Sequence, residues 1–107
     1  MKFNEFQDIA ASTRLESANH LYVLTGMIGE MGELYSLIAK GIRDGVDEDQ
    51  EHEWRLKVKK ELGDVLWFIS AFADDMEFSL DDVAETVIEK LQNRKKRDML
   101  QGSGDDR

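Results

Sequence analysis

The sequence predicts an all-α protein, and three observations carry that prediction. The chain contains no proline, no stretch alternates apolar and polar residues as a half-buried strand does, and apolar residues recur at helical spacing in four segments. At 107 residues the chain is long enough for one modest core and too short for two. We therefore expect a single helical domain over residues 1–100, followed by a polar, mobile tail over 101–107.

The composition restricts the classes of function. A formal net charge of −9 gives no global attraction for DNA or RNA, so we expect no nucleic-acid partner, and a cation is the more natural ligand. The chain has no cysteine, which excludes disulfides, thiolate metal sites and cysteine nucleophiles. The first residues lack the apolar run of a signal peptide, and no stretch is apolar enough to cross a membrane. We therefore expect a cytoplasmic protein that binds no membrane.

The first two helices follow from their apolar positions. The first is predicted over about Phe3–Ala11, with Asn4 as its candidate N-cap, and the second over about His20–Lys40, capped by Ser17 or Asn19. The apolar stripe of the second helix is formed by Leu21, Leu24, Met27, Ile28, Met31, Leu34, Tyr35 and Ile38.

Glycines inside and after the second helix allow more than one interpretation. Gly26, Gly29 and Gly32 each cost a helix interior about 1 kcal/mol relative to alanine. They serve either close packing against a neighbouring helix or space for a ligand, and the two uses are compatible. Gly41 or Gly45 is the expected stop of the helix.

The third and fourth helices are separated by a short turn. Residues 46–53 are predicted as an acidic loop, with Asp47 or Asp49 capping a helix that runs to about Met76. Ser79 is a good N-cap for the fourth helix, which ends in the basic run at 93–97. The expected buried face of the third helix is formed by Trp54, Val58, Leu62, Val65, Phe68, Ile69, Phe72 and Met76.

Two pairs of carboxylates are the candidate site. Glu30 and Glu33, and then Glu61 and Asp64, are each three residues apart and so share one face of a helix. Glu61 falls inside the apolar stripe of its own helix at about 100° per residue. A short connection between the two helices predicts an antiparallel hairpin that brings the pairs together. Four carboxylates at one place suit Mg²⁺ or Mn²⁺.

Ordinary ion pairing is the alternative explanation of these acids. Lys57 precedes Glu61 by four residues, Lys60 precedes Asp64 by four, and Lys40 follows Glu33 by seven. A di-iron site is disfavoured because His20 and His52 form no Glu-x-x-His motif, and both are expected at the surface or at caps.

Other candidate residues lie on the third and fourth helices. Lys90, Arg94 and Arg97 share one face, where they either complement the helix C-terminus or bind substrate phosphates. Trp54 and Trp67 suit a core, and Trp54, near a helix start, is the better candidate for contact with a ligand or a partner chain.

The glycine-flanked acid pairs, separated by 27 intervening residues, resemble the defining pattern of the MazG-type all-α nucleoside triphosphate pyrophosphohydrolases. The similarity covers most of the chain. It includes, in chain order, Gly29-Glu30-Met31-Gly32-Glu33-Leu34, Glu61-Leu62-Gly63-Asp64-Val65-Leu66-Trp67, Lys90-Leu91 and Arg94. The closing residues 102–107 also resemble the tails of small members of this group.

The resemblance implies Mg²⁺-dependent cleavage of a nucleoside or deoxynucleoside triphosphate between the α and β phosphates, giving a monophosphate and pyrophosphate. It implies that Glu30, Glu33, Glu61 and Asp64 hold the metal, with either Glu30 or Glu33 taking the proton of the attacking water. Lys57 matches a lysine that assists there, and Lys90 and Arg94 match phosphate contacts. Val87 stands where related small members often have asparagine, so substrate preference differs if that asparagine contacts the nucleoside.

The long second and third helices suggest a homodimer whose hairpins pair into a four-helix bundle. Members of the family form such dimers, some pair them into tetramers, and a second chain would then contribute to each site. The rival hypothesis from another class is a catalytically silent helical interaction or regulatory module. A binding module has no need of buried acids, which favours the enzyme.

Overall fold

The computed structural model describes all residues from 1 to 107 and contains four α-helices and no strands. The helices are α1 (Phe3–Ser12), α2 (His20–Asp44), α3 (Glu51–Asp75) and α4 (Leu80–Lys96). The predicted all-α class is therefore confirmed. None of the four helices combines the length and apolarity that a membrane crossing requires.

Two of the predicted caps are confirmed. The Asn19 side chain accepts a hydrogen bond from the Tyr22 backbone N–H at 3.0 Å, which begins α2. Ser79 accepts from the Asp82 N–H at 3.1 Å and begins α4. Both satisfy a backbone donor that the first turn of a helix leaves without a partner.

Two other capping predictions are wrong. Asn4 lies inside α1, and its side chain accepts from the Asp81 N–H at 3.1 Å, so it supports the start of α4 instead. Neither Asp47 nor Asp49 caps α3, which begins at Glu51 behind a Gln50 side chain that makes no capping hydrogen bond. The Asn4 correction has a tertiary cause, because a polar side chain in a folded protein can bond to a segment distant in sequence.

The end of α2 lies four residues beyond the predicted one. The helix continues through Gly41 and stops at Gly45, whose φ of +76° suits glycine. A Cβ on Gly41 would lie 2.9 Å from the Trp54 ring. Gly41 therefore permits close packing between helices and does not stop one.

Helices α2 and α3 form an antiparallel hairpin. Gly26, early in α2, faces Phe68, late in α3, whereas Gly41, late in α2, faces Trp54, early in α3. Both contacts place an aromatic ring where α2 has no side chain. The hairpin register therefore depends on glycine at these two positions.

The buried core lies at the end of the hairpin nearer α1. Val23, Phe68 and Ala71 are buried together, and the half-buried residues packed against them are Met27, Trp67 and Phe72. The Trp67 and Phe68 rings meet edge to face at 5.0 Å between centroids. The Trp67 indole N–H donates to the Thr13 hydroxyl at 2.9 Å, which ties α3 to the end of α1.

Two polar side chains hold α1 and the following turn against the end of α3. Buried Gln7 donates to Asp74 and to the Phe78 carbonyl, and it accepts from the Leu80 N–H. Arg14 binds both carboxylate oxygens of Asp75, at 2.9 and 3.1 Å. These non-local bonds fix the angle at which α1 and α4 leave the hairpin.

A single chain does not enclose its apolar surface. Only 10 of 107 residues are buried, and the radius of gyration is 17.0 Å, whereas a compact chain of this length has about 13 Å. The predicted buried face of α3 is correct for Phe68, but Leu62 and Met76 are about half exposed.

The largest uncovered feature is a heptad-spaced row on α2, which we call the α2 seam. Six of its seven residues are exposed, with relative accessibilities between 41% and 80%, and the other one, Ile38, is half-buried. The exposed members are Leu21, Leu24, Ile28, Met31, Tyr35 and Ile42. Alternating steps of three and four residues are the pattern by which helices pack on partner helices.

Candidate metal centre

Three of the four predicted acids converge between α2 and α3. Glu30, Glu33 and Glu61 each place a carboxylate oxygen within 4.8 Å of the others. Glu30 and Glu61 are half-buried, and Glu33 is exposed. The i, i+3 spacing puts Glu30 and Glu33 on one face of α2, and the antiparallel register brings Glu61 opposite them.

Asp64 lies outside this group of three and is exposed. Its charge nevertheless contributes to raising the pKa of Glu30, so it belongs to the same electrostatic environment. The structure therefore brings Glu30, Glu33 and Glu61 together and leaves Asp64 at the margin.

The acid cluster is electrostatically unfavourable by itself. Burial raises the pKa of Glu30 above the ordinary carboxyl range, and the negative charges of Glu33, Asp64 and Glu61 raise it further. One oxygen of Glu30 and one of Glu61 are buried without any hydrogen-bond partner. Buried acceptors without donors are rare in folded proteins, so these two oxygens are available to a ligand that carries positive charge.

The ion-pair explanation of the four acids is wrong. The salt bridges of the chain join Arg14 to Asp75, Arg43 to Asp44, and both Lys90 and Arg94 to Asp105. None of them involves the four acids, and Lys57, Lys60 and Lys40 bind no carboxylate. The lysines predicted as partners therefore leave the carboxylate cluster uncompensated.

An open cavity of about 660 Å³ adjoins the glutamates. Its walls include Glu33 and Glu61 together with Gly29, Gly32, Ser36, Leu37, Lys40 and Lys57. A Cβ added to Gly29 or Gly32 would meet nothing within 4 Å, whereas one added to Gly26 would collide with Phe68. The two interpretations of the α2 glycines are thus divided by position, with packing at Gly26 and open space at Gly29 and Gly32.

Lys57 and Trp54 lie on α3 toward the α2–α3 connection. Lys57 lines the cavity beside Glu61, and both Lys57 and Trp54 line a second cavity of about 310 Å³ further along the hairpin. The Trp54 indole N–H is buried and has no acceptor. Lys40, predicted only as an ion-pair partner, lines both cavities, and its spacing of seven from Glu33 is the signal that places it on the same face of α2.

The predicted phosphate contacts of α4 lie elsewhere in the chain. No residue of α4 lines the cavity beside the glutamates, and α4 makes no close contact with α2. Lys90 binds the Asp105 carboxylate at 3.1 Å, and buried Arg94 donates to the carbonyls of Gly104 and Asp105. Arg97 donates to the Arg107 carbonyl. These cations hold residues 104–107 against α4.

The tail contacts bear on electrostatics as well as on order. Lys90 and Arg94 lower the pKa of Asp105 through hydrogen bonds and charge. The structure shows the tail in contact with α4, and its predicted mobility in solution stays a prediction.

His20 and His52 are exposed, and neither lies with the acids.

Comparison with known proteins gives two results that agree with this geometry. Residues 18–98 match the MazG nucleotide pyrophosphohydrolase domain. The Gene 37 protein of Mycobacterium phage L5 is 40% identical over 86 residues, which cover 80% of this chain and 75% of that protein. No solved structure matches the chain significantly.

Proposed function

This chain belongs to the MazG nucleotide pyrophosphohydrolase family, and on that premise we propose that it hydrolyses nucleoside or deoxynucleoside triphosphates to monophosphate and pyrophosphate. The proposed cofactor is Mg²⁺ or Mn²⁺. The observation that supports the proposal best is the cluster of Glu30, Glu33 and Glu61, which lies beside an open cavity and has no cationic partner within the chain.

The residues present fit a divalent ion. The cluster offers only carboxylate oxygens, which hard cations prefer, and the buried oxygens of Glu30 and Glu61 lack any other partner. Glu30, Glu33 and Glu61 would hold the ion, with Asp64 beside them. When bound, the ion supplies Lewis-acid polarisation of the phosphate oxygens and offsets their charge.

The other residues of the cavity bind and orient the substrate. Lys57 provides positive charge toward the phosphates. Trp54 forms a wall of the adjoining second cavity. Water attacks the α phosphorus, its proton passes to Glu30 or Glu33, and the bond from the α phosphorus to the bridging oxygen of the β phosphate breaks. The electron pair of that bond leaves with pyrophosphate.

The proposal includes a homodimer that covers the α2 seam. A heptad-spaced apolar row on an exposed helix pairs readily with a second copy to give a four-helix bundle. Lys90, Arg94 and Arg97 lie away from the glutamates of their own chain, so we assign their phosphate contacts to the site of a second copy. Pairing of two dimers is the proposed larger assembly.

A pyrophosphate-release assay over the common ribo- and deoxyribonucleoside triphosphates, with Mg²⁺ or Mn²⁺, tests the proposed function. We expect pyrophosphate release from at least one nucleotide. In the Glu61→Gln variant we expect kcat to fall by at least about 100-fold. The matched control is Glu85→Gln, which removes an exposed acid of α4 and should leave kcat unchanged.

Two results would count against the proposal. Absence of release from every nucleotide would favour the silent interaction module, for which the exposed α2 seam is the supporting observation. Full activity of Glu61→Gln would remove that residue from the metal centre while leaving the family assignment intact.

A further inference from the structure

The two cavities beside α2 and α3 form one continuous groove. The cavity at the glutamates and the cavity at Trp54 share Leu37, Lys40 and Lys57. Their volumes, about 660 and 310 Å³, are within the range of about 300–1,000 Å³ that small-molecule sites occupy. The groove therefore extends from the acids toward the α2–α3 connection.

The charge along this groove changes sign. At one end lie Glu30, Glu33 and Glu61, and about 10 Å further along α2, seven residues at 1.5 Å each, lies Lys40. Neither Lys40 nor Lys57 forms a salt bridge. Two unpaired cations converge here on a protein whose net charge is −9.

The acids near these lysines offset their charge only in part, since the pKa of Asp44 is lowered by its hydrogen bonds with Arg43 first and by the charge of Lys40 as well. Asp44 lines the same end of the groove, but the Arg43 guanidinium binds both of its carboxylate oxygens at 2.8 Å. Glu53 is the one acidic side chain left there without an ion-pair partner. The lysine end of the groove is therefore the end that favours an anion.

Trp54 closes this end. Its ring packs on the Gly41 backbone, where a Cβ would lie 2.9 Å from the ring, and its indole N–H has no acceptor. The indole nitrogen faces Gly41, 3.2 Å from the position of that Cβ, so Trp54 contributes an apolar wall to this end of the groove.

We propose that Lys40, Lys57 and Trp54 form the pocket for the terminal phosphates of the substrate, the part that leaves as pyrophosphate. The nucleotide then lies in one direction, with its α phosphorus at the glutamates and its nucleoside toward the Gly29 and Asp64 side. Lys40 is a positioning residue for the leaving group, and the pocket does not recognise the base. The inference depends on the proposed function only for the identity of the anion.

Binding of inorganic pyrophosphate with Mg²⁺, followed by the indole resonances of ¹⁵N-labelled protein, tests this pocket without turnover. The chain has two tryptophans, and either a Trp54→Phe or a Trp67→Phe spectrum assigns both signals. We expect pyrophosphate to shift the Trp54 signal and not that of Trp67. We expect Lys40→Gln to weaken pyrophosphate binding about tenfold, as loss of a charge-assisted contact does, and Lys40→Arg to restore it.

The control is Lys59→Gln, which removes the same charge from an exposed position of α3 outside this groove and should change affinity less than about twofold. Binding of a nucleoside monophosphate should not change in Lys40→Gln. Three results would overturn the inference. They are a Trp54 shift produced by the monophosphate, an equal loss of pyrophosphate affinity in Lys40→Gln and Lys59→Gln, and no binding of pyrophosphate. Lack of hydrolysis together with the expected pyrophosphate pattern would instead contradict the proposed function and retain the pocket.

Discussion

Glu30 has the least favourable environment among the acids of this chain. Its pKa is raised by burial first and then by three neighbouring carboxylates, and one of its oxygens has no hydrogen-bond partner. A folded structure that disfavours an ionised side chain loses stability through it. Glu30 thus destabilises the metal-free fold and would stabilise a metal-bound one, which is a trade-off between stability and function.

The Glu30→Gln variant should therefore be more stable than the wild type without metal. Because the folded protein binds the Glu30 proton more tightly than the unfolded chain does, this contribution is most favourable below the ordinary carboxyl pKa and is lost as pH rises through the raised one. We expect the metal-free Tm of the variant, measured in chelator at neutral pH, to exceed that of the wild type. The difference should shrink as pH falls.

Added Mg²⁺ should reverse the order. The wild type gains stability by binding the ion, whereas the variant has lost a ligand and should gain less. The control Glu85→Gln should follow the wild type under both conditions. A lower metal-free Tm for Glu30→Gln at neutral pH would contradict this prediction, because it would mean that the Glu30 carboxylate stabilises the metal-free fold.

At the scale of the elements, α2 contains two kinds of glycine. Gly26 and Gly41 admit the rings of Phe68 and Trp54, whereas Gly29 faces open space. All lie inside one helix, so their intrinsic cost to that helix is similar. The difference between them is tertiary, since it depends on what α3 places opposite each position.

Alanine substitutions should separate the two kinds. Gly26→Ala should destabilise the protein by about 1–3 kcal/mol because its methyl group overlaps the Phe68 ring. Gly29→Ala should stabilise it by up to about 1 kcal/mol because alanine is the better helix former and the added methyl meets nothing.

Chemical denaturation of both variants measures these differences, and each variant is the matched control of the other. Equal effects at the two positions would show that the hairpin register differs from the one described. Gly29 also lines the cavity at the glutamates, so a stabilised Gly29→Ala protein with weaker nucleotide binding would support the use of that space by the substrate.

The whole molecule, as a single chain, leaves much of its apolar surface exposed. Its radius of gyration of 17.0 Å exceeds the value for a compact domain, and the α2 seam is exposed. Apolar surface on this scale is covered in most water-soluble proteins by another element or another chain. The seam lies on α2, the same helix that carries Glu30 and Glu33. A partner that covered the seam would therefore hold the carboxylates in place as well as stabilise the fold.

We expect the purified protein to be a dimer and Ile28→Asp to shift it toward monomer. Ile28 is 73% exposed at the middle of the seam, and a charge there must be desolvated when two copies pair. Sedimentation velocity measures the change. Thr86→Asp adds the same charge to an exposed position of α4, outside the seam, and should leave the dimer intact. A monomeric wild-type protein at micromolar concentration would contradict this prediction.

The sequence alone determined the helices and the acid motifs, because both depend on interactions between residues near one another in the chain. The 3.6-residue period located four helices, Ser79 and one of the two candidates for the α2 cap were identified correctly, and the three-residue spacing placed Glu30 beside Glu33. The same spacing, with its glycines, was enough to indicate the family to which residues 18–98 are matched.

Only the tertiary structure decided which of these local features meet. The register of the hairpin places Glu61 against Glu30 and Glu33, leaves Asp64 at the margin and leaves the lysines without a salt bridge to the acids they were expected to neutralise. Asn4 caps a helix 77 residues away for the same reason. Helical periodicity fixes the direction of a side chain from its own helix, but the partner it meets depends on how distant segments pack.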